Sequence, residues 1–167
     1  GSSPYEFNSV TAGSDNSFAP STDQAQAGSY SYKSLFGGSA VQAYGQKTIS
    51  SSTGEIYLIG YVYLPSDFAF SANSYIPLIY FQAGPTFYGR SLSDTEYNFN
   101  RWFWYNRSTY TNYTTNFSLD AWHKVGIYIK TGSGDGICKL TIDDTVVIES
   151  TDLTISSLPT YVRIGGG

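Results

Sequence analysis

The chain has 167 residues, enough for one domain burying about 70 % of its unfolded surface without metal or disulfide staples. Aromatic residues make up 17 % and charged residues 13 %, with 9 Lys and Arg against 13 Asp and Glu and a net charge of −4. That balance excludes an electrostatic nucleic-acid binder and a polybasic membrane-surface protein, and no apolar run is long enough to span a bilayer as a helix.

In chain order, residues 1–28 are polar and rich in Gly, Ser and Ala, with Phe7 and Phe18 as the strong anchors. They read as an irregular lead-in with one edge strand. Beyond them the apolar pattern alternates with period two and is punctuated by turns, the signal of an all-β sandwich or barrel. Strands are expected at 29–36, 41–49, 55–64, 76–82, 86–92, 98–106, 111–117, 121–131, 136–142, 145–149 and 161–164. Residues 131–136 read as a glycine-rich hairpin loop, and Asp143-Asp144 as a tight two-residue turn. Neither repeat nor linker interrupts the pattern, so 1–167 reads as a single domain.

Two strands divide cleanly into faces. In 55–64, Ile56, Leu58, Val62 and Leu64 oppose Glu55, Tyr57, Ile59, Tyr61 and Tyr63. In 121–131, His123, Val125, Ile127 and Ile129 oppose Trp122, Lys124, Gly126, Tyr128 and Lys130. The first face of each suits a sandwich core. The second carries Tyr and Trp where solvent-facing strands usually carry Lys, Glu and Thr. Strand 98–106 sets Asn98, Asn100, Trp102 and Trp104 against Phe99, Arg101 and Phe103.

The order Trp122-His123-Lys124-Val125, Gly134-Asp135-Gly136, Leu140-Thr141-Ile142-Asp143-Asp144 and Val162-Arg163-Ile164-Gly165 resembles the concanavalin A-like lectin/glucanase superfamily. The similarity is to its laminin-G-like and polysaccharide-lyase-like branch. Upstream, Gly28-Ser29-Tyr30-Ser31-Tyr32-Lys33 and Tyr57-Leu58-Ile59-Gly60-Tyr61-Val62 carry the same likeness. The resemblance implies a jelly-roll β-sandwich of two antiparallel sheets. It implies a structural role for His123 beside Trp122. It also implies one further strand after Gly165, supplied by more chain or by a partner. The alternating carboxylate strand of the glucanase members is not present in the sequence.

Several residues could carry chemistry. Glycoside hydrolysis needs paired carboxylates about 5–10 Å apart, and Asp94 with Glu96 falls in a loop instead. No enzyme is expected; a polysaccharide-acting hydrolase or lyase is the second alternative. No metal site is firm. Asp135, Asp143 and Asp144 are calcium candidates, although Asp is equally at home in such turns. Cys138 alternates with Leu140 and Ile142 and reads as a buried, inert thiol, and a lone cysteine excludes an internal disulfide. Asn106, Asn112 and Asn116 open glycosylation sequons.

The aromatic faces carry the functional reading. Tyr and Trp stack on the C–H faces of sugars, while Asn and Arg bond their hydroxyls. Tyr57, Tyr61, Tyr63, Asn100, Arg101, Trp102 and Trp104 are the candidate carbohydrate-binding or interface residues. The expected function is a non-catalytic extracellular module that binds carbohydrate. The alternative is a structural subunit of an extracellular or virion assembly, with copies of itself or another surface protein as partner. Low Lys with high Tyr, Ser, Thr, Asn and Gly suits an extracellular or particle surface.

Overall fold

Period-two alternation gives this chain no stripe that a helix could bury, and the described residues form strands only. The computed structural model describes residues 7–29, 31–35, 42–68, 75–82, 86–91, 97–103, 110–112 and 118–166, with backbone alone at 75–76, 86–91, 97–103 and 110–112. The strands are β1 (Ser9–Ala12), β2 (Ser17–Ser21), β3 (Ser31–Leu35), β4 (Ala43–Thr48), β5 (Glu55–Tyr63) and β6 (Tyr75–Phe81). They continue with β7 (Thr86–Ser91), β8 (Tyr97–Phe103), β9 (Tyr110–Asn112), β10 (Trp122–Lys130), β11 (Gly132–Ile142), β12 (Thr145–Ile155) and β13 (Tyr161–Gly166).

Two main sheets form a β-sandwich. One runs β1-β4-β13-β6-β7-β8-β9 and the other β12-β11-β10-β5, with every described pairing antiparallel. Val125, Ile127 and Ile129 of β10, Cys138 and Leu140 of β11 and Ile56 of β5 meet Ile79, Phe81 and Val162 of the larger sheet in one core. Each fully buried aliphatic or aromatic side chain there contributes about 1.5–3 kcal/mol by leaving water. The core faces expected for β5 and β10 are therefore the observed ones. β13 lies between β4 and β6 in the seven-stranded sheet, so the last described strand supplies central core residues.

The lead-in holds two strands, where one was expected. β1 pairs with β4, and β2 pairs with β3 in a separate hairpin. Phe18 and Tyr32 stack across that hairpin at 5.0 Å, and Phe7 meets them edge-on at 5.3 and 4.8 Å. These rings lie against Gly45 of β4, where an added Cβ would come within 2.6 Å of Phe7 and Phe18. Glycine at this position lets the hairpin close on the larger sheet.

The stretch 131–136 differs from the loop expected for it. Lys130 pairs with Ile137, but Gly132 and Ser133 turn aside to pair with Ile155 and Thr154 of β12. β12 runs past Glu149 to Ile155, and bulges at Gly136 absorb the mismatch. Glycine-rich sequence signals a turn locally, yet the backbone still takes a strand edge when one is offered. Asp143-Asp144 is the expected two-residue turn. Both residues have positive φ, 50° and 65°, matching the twist of a tight hairpin.

Candidate functional site

The outer face of the four-stranded sheet is built by strand alternation. Since Ile56, Val125, Ile127 and Ile129 enter the core, Tyr57, Ile59 and Tyr61 of β5 must face outward. They are 58 %, 49 % and 45 % exposed. The register sets Tyr57 beside Tyr128, Ile59 beside Gly126, Tyr61 beside Lys124 and Tyr63 beside Trp122. Tyr57 leans over Gly126: a Cβ added there would lie 3.1 Å from its hydroxyl and would also collide with Thr141 Oγ1. The sheet thus carries an aromatic ridge, with Tyr57 and Thr141 covering the backbone at Gly126.

Polar groups fix this ridge in place. Tyr63 packs against Trp122 with ring centroids 5.4 Å apart, and its hydroxyl donates to Asp120 Oδ1 at 3.3 Å. Desolvation first, then the Asp120 charge, raises the Tyr63 phenol above its ordinary value. Asp120 also accepts the Ser66 N–H at 2.8 Å, and bonds from Ser66 hold its carboxyl below the usual range despite partial desolvation. Desolvation, followed by a hydrogen bond to Glu55, raises Tyr128. The lysines of this sheet are paired: Lys124 with Asp144 at 2.6 Å, Lys130 with Asp135 at 3.6 Å and Lys139 with Glu149 at 2.7 Å.

The remaining aromatic candidates lie on a different sheet. Asn100, Arg101 and Trp102 belong to β8 of the seven-stranded sheet, with Trp102 opposite Phe87 and Arg101 opposite Tyr88 and Asn112. Tyr57, Tyr61 and Tyr63 therefore form one group, and the β8 residues do not join it. Trp104, Asn106 and Asn116 lie outside the described residues, as do Asp94 and Glu96. Asn112 ends β9.

The acidic turn residues are already engaged. Asp143 accepts His123 Nδ1–H at 2.7 Å through Oδ2 and the Lys124 N–H at 2.9 Å through Oδ1. Burial pushes its carboxyl up, but these two bonds and the His123 charge outweigh it and hold the group below the usual range. Asp144 faces Lys124, while Asp135 accepts the Ser133 N–H at 3.1 Å. No group of three or more metal-ligating side chains occurs among the described residues, so Asp135, Asp143 and Asp144 are not brought together as a calcium cage.

His123 is half of a hydrogen-bond chain that sequence reasoning missed. Its Nε2 lies 3.1 Å from both Ser118 Oγ and the Ser118 carbonyl. The order Ser118–His123–Asp143 matches a nucleophile, base and orienting acid. With Nδ1–H given to Asp143, a neutral His123 accepts the Ser118 hydroxyl at Nε2, and Nε2 donates to the Ser118 carbonyl only when both ring nitrogens carry protons. The chain braces the start of β10 against the Asp143 turn. Cys138 is wholly buried and its thiol is pushed far up by desolvation, which removes it from nucleophilic chemistry.

A second missed cluster sits on the seven-stranded sheet. Val162 and Ile164 pack into the core, so Arg163 emerges on the opposite face. Its guanidinium carbon is 4.4 Å from the Tyr44 ring centre, 5.1 Å from Tyr161 and 5.6 Å from Tyr80. Its Nε donates to Gln46 Oε1 at 3.0 Å. The alternation Val162-Arg163-Ile164 signals an outward arginine, but the tyrosines come from β4, β6 and β13 and meet only through sheet register. No protein-family model matches this chain, and no curated protein matches it either.

Proposed function

We propose that the chain is a non-catalytic, concanavalin A-like jelly-roll module that binds carbohydrate outside the cell or on a particle surface. The supporting observation is the exposure of Tyr57 and Tyr61, about 13 Å apart by strand rise, on a sheet whose other face is core. Sugar rings stack on such phenols, and their hydroxyls bond the phenolic oxygens and Lys124. Tyr63 and Trp122 extend the aromatic surface at one end. Tyr63, at one end of the ridge, is anchored by its bond to Asp120, which reduces the ordering left for binding at that end. The test is a glycan panel, run with and without calcium, on the intact chain and on Tyr61→Ala. Binding that weakens about tenfold or more in the variant supports the reading. A panel with no ligand, or equal binding by both proteins, overturns it.

A second reading rests on a separate feature. Among the described strands β5 ends its sheet, and it has no Pro, Lys or bulge within its nine residues. Natural edge strands usually carry such blocks against pairing with another chain. A structural subunit would use this edge to add a strand from another copy or another surface protein. Light scattering over a range of concentrations distinguishes the readings. Growth in mass that Tyr61→Ala reverses favours assembly, and a monomer throughout excludes it at those concentrations.

A further inference from the structure

We propose that Arg163, walled by Tyr44, Tyr80 and Tyr161, is a second binding site that takes the carboxylate of an acidic sugar. The site lies on the seven-stranded sheet and does not depend on the Tyr57–Tyr61 ridge. Arg163 differs from four described lysines elsewhere in the fold. Lys33, Lys124, Lys130 and Lys139 each sit within 4 Å of a carboxylate, whereas no described carboxylate lies that close to Arg163. Its one hydrogen bond to the protein is from Nε to Gln46, so both Nη groups keep their donors for a ligand.

The geometry leaves those donors uncommitted and the half-buried guanidinium held in place. A guanidinium is flat, and aromatic rings attract it electrostatically while offering little to its in-plane N–H groups. Tyr44, itself nearly buried, lies closest, with Tyr161 and Tyr80 flanking. The rings crowd the group and the Gln46 bond fixes its rotation. What is left is the Nη edge, a preorganised fork that matches the two oxygens of a carboxylate. Ordering the arginine in advance lowers the entropy lost on binding.

The surroundings favour a sugar over a polyanion. Gln46, Thr48 and Gln82 flank the cluster, supplying neutral amides and a hydroxyl. Such groups bond sugar hydroxyls, and the tyrosine rings give a C–H face something to stack on. An acidic peptide or a densely sulfated chain needs several cations. Among the described side chains Arg163 is the one cation in this cluster, on a chain of net charge −4. One carboxylate on one ring fits that supply.

The experiment is calorimetric titration of the intact chain with a panel of uronate oligosaccharides (galacturonate, glucuronate and mannuronate trimers) and their methyl esters. Parallel arms use a sulfated oligosaccharide and polyaspartate. At least one free acid is expected to bind, with its ester about tenfold to hundredfold weaker, the range for losing a charge-assisted bond. Arg163→Gln is expected to weaken the acid by the same factor. Arg163→Lys should recover little, because a point charge lacks the fork. Lys139→Gln, which removes a paired cation of the other sheet, should leave acid binding unchanged, which separates the Arg163 fork from general charge. Thermal unfolding of each variant confirms that it is folded. The proposal is overturned by equal binding of acid and ester, by undiminished binding in folded Arg163→Gln, by equal affinity for polyaspartate or the sulfated chain, or by no binding across the uronate panel.

Discussion

The imidazole of His123 and the carboxylate of Asp143 lie 2.7 Å apart, joining the start of β10 to the hairpin that links β11 and β12. Asp143 N donates to the Lys124 carbonyl at 2.8 Å, and the Lys124 N–H returns to Asp143 Oδ1 at 2.9 Å. One aspartate thus closes the turn and clamps it to the neighbouring strand. The Trp122–Tyr63 pair lies immediately before this clamp in the chain.

Acid should loosen this corner. The Asp143 carboxyl titrates below its ordinary value, so its contribution is complete above the unfolded-state pKa of about 3.9. It is lost as pH falls through the lower folded value. Urea midpoints measured from pH 7 to pH 2.5 should fall below about pH 4, and less steeply in Asp143→Asn. Identical slopes in the two proteins would remove Asp143 from the acid response.

The two turn residues should respond differently. Asp143→Gly loses two hydrogen bonds and is expected to cost about 1–2 kcal/mol, a modest figure because the carboxylate is half exposed. Asp144→Gly gives up an exposed ion pair worth at most about 1 kcal/mol and relieves a left-handed backbone of similar cost. Equilibrium unfolding should show Asp144→Gly within about 0.5 kcal/mol of the parent or above it. Equal losses at both positions would contradict the clamp.

Gly126→Ala should destabilise by about 1–3 kcal/mol, since its Cβ has no room beside Thr141 Oγ1 and the Tyr57 hydroxyl. Thr141→Ala removes the nearer obstacle. Adding it should recover much of the loss, giving a coupling measurable in a double-mutant cycle. Purely additive effects would place the strain elsewhere.

Ile127 is fully buried between sheets, and Ile127→Ala should cost about 2–5 kcal/mol in chemical denaturation. A loss under 1 kcal/mol would mean the core closes around the cavity with unusual ease.

Cys138 should resist a thiol reagent in the native state and react fully in denaturant, because it has no exposed surface and a strongly raised thiol. Rapid stoichiometric labelling of folded protein would contradict its burial.

Much of the fold was legible from alternation alone. Ile56, Val125, Ile127 and Ile129 declare a core face because side chains on a strand alternate strictly, and Asp143-Asp144 declares a turn because Asp tolerates positive φ. The same rule exposed Tyr57 and Tyr61. Alternation acts within one strand and carries no information about which strands become neighbours. Sheet order placed Tyr61 and Trp102 on different sheets, although both are candidate binding residues by sequence. Register gathered Tyr44, Tyr80 and Tyr161 around Arg163 and brought Ser118, His123 and Asp143 into one chain of hydrogen bonds. Those meetings depend on long-range pairing and on how two sheets share a core. Local sequence pattern therefore determined the faces, and tertiary structure alone decided which faces became neighbours.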